Sequence, residues 1–301
     1  MILVTGASGR IGTAVIRDLA ARSLPVRALA RARTRSPLRD CAGLEWAEGD
    51  LGDERSVSAA VEGVDSVVLH SAPSPEQIGL QERFIDVAIA AGVRRIIKLS
   101  VAGAAADAAC DGARRHWRVE QCLEGADVEW CSVRATRPMQ DLLHQVPLLL
   151  TSGLLAGCQG TGQSADVDVR DIGSVLSSLA AAAQLHHGVL PLTGPEALDG
   201  AEMARQLARH FNRPVRYVDC SPGDLLQCAQ AAGVEGWQAH DLVAWQTEAR
   251  DGRYSIVYDT VERVTGREPR RFEAFANELA MSLRYSNAPQ RAQDALAGIG
   301  S

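Results

Sequence analysis

The stretch MILVTGASGRIG, residues 1–12, decides the fold. Met1–Thr5 reads as a buried strand, and Gly6, Gly9 and Gly12 follow at three-residue spacing. Ile11, Ala14, Val15, Leu19 and Ala20 then recur at three- and four-residue intervals, the period of an amphipathic helix. A glycine turn between a strand and a helix lets the backbone approach a pyrophosphate. The helix N-terminus offers that anion free N–H groups and a positive dipole end. Gly6, Ser8, Gly9, Arg10, Ile11 and Gly12 are therefore the first candidate cofactor contacts.

Outward from this turn the pattern alternates strand and helix, which predicts an α/β chain with a Rossmann-type doubly wound parallel sheet. Pro25–Ala30 is the second strand. No acidic residue occurs between Asp18 and Asp40, whereas Arg27, Arg31, Arg33, Arg35 and Arg39 fill the interval. An NAD site places a carboxylate here for the ribose 2′-hydroxyl, and an NADP site an arginine for the 2′-phosphate. Arg31 and Arg33 therefore point to NADP(H). Leu44–Glu48 is a short third strand, closed by Asp50 and Leu51, with Asp53 as the N-cap of a helix reaching Glu62. Ser66–His70 is the fourth strand, and its C-terminal end faces the crevice of a doubly wound sheet. His70, Ser71 and Ala72 are thus expected near the nicotinamide ribose. A helix over 75–91 and a fifth strand over Arg94–Ser100 follow. Period-two alternation puts Lys98, the one lysine of the chain, on the same face as Ser100. We expect Lys98 at the cofactor edge.

The TGxxGxxG spacing resembles the short-chain dehydrogenase/reductase superfamily. That resemblance implies an adenine contact for Asp50 and a catalytic place for Ser100. A typical member presents tyrosine and lysine four residues apart on the next helix. The helix over Gly112–Leu123 carries His116 and Glu120 at that spacing instead. TGASGRIG, VRALAR, GDL, IIKLSVAGA, GADVEWCSVRATRPMQ, DVDVRDIG, LTGPEAL and DTVERVTGREPRRFEAFA narrow the likeness to the NmrA-like branch of atypical short-chain reductases, to about Leu283. This branch includes isoflavone-reductase-like and quinone-oxidoreductase-like proteins, and also cofactor sensors. RATRP departs from its usual leucine-arginine-proline.

Residues 1–185 are expected to form the NADP-binding domain, with a strand at 188–193 returning to the sheet. Residues 194–285 would be a small, mainly helical α+β substrate lobe, and 286–301 a flexible tail. Glu129–Arg134 and Asp166–Asp171 read as further strands, the latter leading into a helix over 171–183. Composition is that of an ordinary globular protein, and a net charge of −6 gives no footing for nucleic acid. Seven scattered cysteines include no CxxC pair, so neither a metal site nor a disulfide framework is indicated. No signal peptide fits, and the apolar run Val146–Ala156 is too short to span a bilayer. We expect a cytoplasmic monomer or homodimer acting on a small molecule, away from membranes.

Three functions remain open from the residues. In an NADPH-dependent reductase, hydride would reach a carbonyl, imine or activated C=C of an apolar molecule such as a quinone or polycyclic metabolite. His116 would donate the proton, Glu120 would orient His116, and Ser100 would polarise the acceptor. The missing tyrosine–lysine pair favours a redox sensor without turnover. A redox-neutral isomerase or cyclase is the third. Trp117, Trp237, Trp245, Phe272 and Phe275 are candidate walls of an apolar pocket.

Overall fold

A computed structural model describes residues 1–31, 38 and 43–285. Seven parallel strands form one sheet: β1 (Ile2–Val4), β2 (Val26–Ala30), β3 (Leu44–Glu48), β4 (Ser66–Leu69), β5 (Arg95–Val101), β6 (Glu129–Ala135) and β8 (Gly188–Leu192). Their order is β3-β2-β1-β4-β5-β6-β8, so the winding reverses between β1 and β4. At such a reversal the flanking connections leave in opposite directions and open a crevice at the strands' C-terminal ends.

Both faces of the sheet are covered, which is why β1 and β4 are buried along their whole length. Ile97, Leu99, Cys131 and Val133 face α1 (Arg10–Ala21) and α6 (Val169–Ala181). Leu3, Leu69, Ile96 and Trp130 face the other layer, α2 (Glu54–Val61), α3 (Gln77–Ala90) and α4 (Asp111–Glu124). The β5–β6 register sets Lys98 beside Ser132 and Ser100 beside Arg134. Alternation then directs Lys98 and Ser100 to the α4 layer.

The strand expected at 188–193 does return to the sheet, pairing with β6. The lobe is less contiguous than expected. A 3₁₀ helix (Met139–Gln145), α5 (Val146–Ser152) and β7 (Leu154–Gly157) join it from before α6. There β7 pairs with β9 (Arg216–Asp219), and Leu143, Val146, Leu149 and Leu155 share a core with α7 (Gly200–Phe211) and α11 (Phe272–Tyr285). The apolar run near 146–156 is thus lobe core. In the other direction, α10 (Thr260–Thr265) packs on α6 and β8 and places Val261 in the sheet core. The lobe is completed by α8 (Pro222–Ala231) and α9 (Gly236–Arg250).

Asp166–Asp171 is no strand: a single bridge joins Val167 to Pro138. The acidic side chains work locally instead. Asp166 accepts from Arg137 and Ser164, and Asp168 accepts from the Arg170 N–H, capping α6 three residues earlier than the sequence pattern predicts. The expected tail, 286–301, lies outside the described residues.

Within one layer, α1 and α6 pack closely together. A Cβ on Gly173 would lie 2.7 Å from the Ala14 Cβ and 2.9 Å from the Ala14 carbonyl carbon. Gly173→Leu is expected to lower unfolding free energy by about 1–3 kcal/mol through overpacking, read as an earlier urea midpoint with unchanged slope.

Candidate active site

The glycine turn is tightly folded between β1 and α1. Gly6 has φ +59°, and a Cβ there would lie 2.9 Å from both the Cδ2 and the carbonyl oxygen of His70. A Cβ on Gly12 would lie 2.4 Å from the Gly6 oxygen, which accepts from the Gly9 N–H. The chain therefore folds tightly over itself, and α1 begins at Gly9 without a side-chain cap. Ser8 and Gly9 are exposed, while Arg10 and Ile11 are half-buried. An uncapped helix start with no acidic residue in its first turn fits an anion such as a pyrophosphate.

Of the other expected cofactor contacts, Arg31, Asp50, Leu51, His70, Ser71 and Ala72 follow the C-terminal ends of β2, β3 and β4. Arg31 ends β2, exposed, with its Nε 3.9 Å from Asp50. Asp50 is exposed and accepts from the Gly52 N–H, so it shapes the turn that holds Leu51. Arg33 lies outside the described residues. His70 is locked to the end of β1 by two bonds that sequence reading missed: Thr5 Oγ1 accepts from the His70 N–H (2.8 Å) and donates to its carbonyl (2.6 Å). Ser71 accepts from Gln81, and Ala72 is exposed.

Across β5 the residues group differently from the expected triad. Lys98, fully buried, sets its Nζ 2.7 Å from His116 Nδ1 and donates to the Leu99 carbonyl (3.0 Å). It therefore sits behind His116, not against the cofactor edge where we expected it. The other imidazole nitrogen, Nε2, lies 3.2 Å from Gln77 Nε2. Glu120 does not orient His116. Its Oε1 accepts from Ser100 Oγ (2.6 Å), and both oxygens accept from Arg134. A helical turn separates His116 from Glu120, but the nearer guanidinium and hydroxyl claim the carboxylate. Gln77 and Gln81 were missed as well. Their signal was faint: two amides four apart on a helix, both buried.

Burial sets the protonation of this group. Lys98 is pushed down to about 7 by loss of water; the Glu120 charge pulls it back up and Arg134 opposes that pull. His116 is held well below its usual value by burial, then by Lys98, His70 and Arg115. His70 falls to about 4, again through burial and Lys98. The pair thus carries at most one positive charge near neutral pH, with Lys98 as its seat. Protonated Lys98 donates to Nδ1, which leaves the imidazole hydrogen on Nε2 and requires Gln77 to present its Oε1. Neutral Lys98 permits the opposite tautomer, with the Gln77 amide donating.

The aromatic candidates divide. Phe272 and Phe275 are buried in the lobe core. Trp245 is stacked between the Arg137 guanidinium (4.7 Å) and Tyr254 (4.9 Å), and Trp237 lies under Arg115 (5.0 Å). A cavity of about 710 Å³ lined by Arg94, Asp127, Glu129 and His187 opens at the opposite edge of the strands and holds none of the candidate residues. Among the described residues no cluster of His, Cys, Asp and Glu could hold a metal ion, and no helix is long and apolar enough to cross a membrane.

A family profile described as NAD(P)H-binding matches residues 6–167, from the glycine turn to beyond β7. The chain belongs to this NAD(P)H-binding family. It is 32% identical over 276 residues to the NAD(P)H azoreductase of Xenophilus azovorans, across 92% of this chain and 96% of that protein. It is also 32% identical to a Streptomyces griseus (4-alkanoyl-5-oxo-2,5-dihydrofuran-3-yl)methyl phosphate reductase, across 93% and 98%. The fold matches that of the NADPH-dependent quinone oxidoreductase of Escherichia coli, solved with NADPH, at a TM-score of 0.86 and 23% identity, across 93% and 99%. With these relatives the chain is an oxidoreductase that binds NAD(P)H, and the likeness to atypical short-chain reductases holds.

The buried amine makes a thermodynamic prediction. Folded Lys98 loses its proton near 7, whereas an unfolded lysine keeps it to 10.5, so between these values the unfolded chain binds more protons and stability rises with pH. Lys98→Met removes this term. Between about pH 7.5 and 9 the stability of wild type relative to the variant should climb by about 1.4 kcal/mol per pH unit, measured by urea unfolding.

Proposed function

We propose that the chain is an NADPH-dependent reductase that transfers hydride to a polarised double bond of an apolar small molecule: a carbonyl, an imine or azo nitrogen, or the activated C=C of a quinone. The observation that carries this reading is the Lys98–His116 contact of 2.7 Å, level with the C-terminal residue of β4, the strand that leads to His70 at Gly6. The relatives named for azo and quinone substrates support it.

Bound NADPH supplies the hydride chemistry. The chain supplies position and a proton. Its glycine turn and the uncapped start of α1 would seat the pyrophosphate, and Arg31 would pair with the 2′-phosphate. As hydride adds to the acceptor, negative charge grows on its oxygen or nitrogen. His116 Nε2–H donates there, in the place Gln77 holds at rest, while Lys98 passes a proton to Nδ1. One proton enters the imidazole and one leaves, so His116 ends neutral and Lys98 is reprotonated from solvent. Ser100 is held by Glu120 and steadies the floor of the site.

With NADPH and 2-methyl-1,4-naphthoquinone or an azo dye as acceptor, His116→Ala should lose about 10²–10⁴-fold in kcat while binding NADPH as before. Tight NADPH binding with no turnover on any acceptor would overturn the reductase in favour of a sensor. Arg31→Ala should weaken NADPH about ten- to hundredfold and leave NADH nearly unchanged in calorimetry.

A further inference from the structure

Helix α4 carries both His116 and Glu120, yet it has no cap of its own. Cys110 occupies the N-cap position without a side-chain bond. The first two helical N–H groups are instead taken by a residue about 130 positions away. Asp241, in the middle of α9, accepts from the Asp111 N–H at 2.7 Å and from the Gly112 N–H at 3.0 Å, one to each carboxylate oxygen. The approach is close: a Cβ on Gly112 would stand 3.1 Å from Asp241 Oδ2.

Arg115 fastens the same joint. Its Nη2 donates to Asp241 (3.0 Å) and its Nη1 to Asp111 (2.8 Å), while its guanidinium lies over the Trp237 ring on α9. Arg115 itself is buried, and of its two carboxylate partners Asp241 is the more enclosed and Asp111 the more exposed. A carboxylate bridging two exposed N–H groups at the positive end of a helix is the arrangement that fixes a helix start most firmly. Further along, Tyr254 bonds Glu248 of α9, and its hydroxyl packs on Gly103 of the loop leaving β5. The lobe helix is thus joined to the sheet domain at both ends of the segment that follows β5.

We infer that Asp241 is a positioning residue: from the substrate lobe it caps α4 and so holds His116, one turn further along, against Lys98 and Gln77. The inference rests on the reductase reading for its kinetic consequence, but its structural consequence does not. Without the carboxylate the first turn of α4 frays and the imidazole loses its fixed distance to the Lys98 amine. Anything that shifts α9, including a molecule bound against it, shifts the proton donor too.

Two readouts on the full-length protein decide it. In long-range ¹H–¹⁵N spectra of the free protein, the His116 ring signals, assigned by their loss in His116→Gln, should move or broaden in Asp241→Ala. The His186 and His187 signals should stay. In turnover with NADPH and 2-methyl-1,4-naphthoquinone, Asp241→Ala should lose about tenfold in kcat, the size of one lost helix cap, with NADPH affinity unchanged. Asp241→Glu should recover part of it. Adding Asp241→Ala to His116→Ala should cost nothing more, because both act through one imidazole. Unmoved His116 signals in Asp241→Ala, or a full tenfold further loss in the double variant, would overturn the inference. Where wild type itself turns over no acceptor, the reductase reading fails and the spectra alone decide the role of Asp241.

Discussion

A single ammonium removed from water organises the site. Lys98 is fully buried on a central strand, and among the described residues no carboxylate reaches it directly: the bonds at its Nζ go to a carbonyl and an imidazole. Burying an unpaired cation costs several kcal/mol, and the cheaper state is a lost proton. Glu120 is the nearby charge that opposes this loss, and Arg134 cancels much of it by pairing with Glu120 at 2.5 Å. The balance leaves Lys98 at about 7, where a proton is neither locked in place nor already gone.

The Ser100–Glu120–Arg134 group follows from that balance. It lies on the same face of β5 and β6, one alternation beyond Lys98, because Ser100 pairs in register with Arg134. A carboxylate bound by Arg134 alone would be free to swing toward the lysine and raise its proton affinity. The Ser100 hydroxyl, donating at 2.6 Å, holds it back.

The parallel sheet and the glycine turn were legible because each is written in contiguous residues with a fixed period. Asp53 as the cap of α2 was legible for the same reason. What the sequence could not show was which of several nearby polar groups would pair. His116 and Glu120 sit at helical spacing, but pairing was decided by β5 and β6, whose register placed Lys98 under one and Arg134 beside the other. The lobe's reach back to residues 139–157 was hidden likewise, since its partners β7 and β9 are some sixty residues apart. Asp241, a helix cap from another helix, has no local signature at all.

On the proposed reading, acid catalysis here would use a different arrangement from a tyrosine lowered by a lysine one turn away. Here the amine comes from the strand beneath, and the donor between it and the crevice is an imidazole with two nitrogens. A phenol has one oxygen and must wait to be reprotonated through it. An imidazole accepts on Nδ1 while it gives from Nε2, so a buried amine with no exposure of its own can still feed the crevice. This requires that the ring not rotate. Gln77 at one nitrogen and Lys98 at the other hold it, and α4 can hold its register only if its first turn is fixed. On the proposed reading, the geometry of one proton transfer would thus be tied to the contact between the two parts of the molecule.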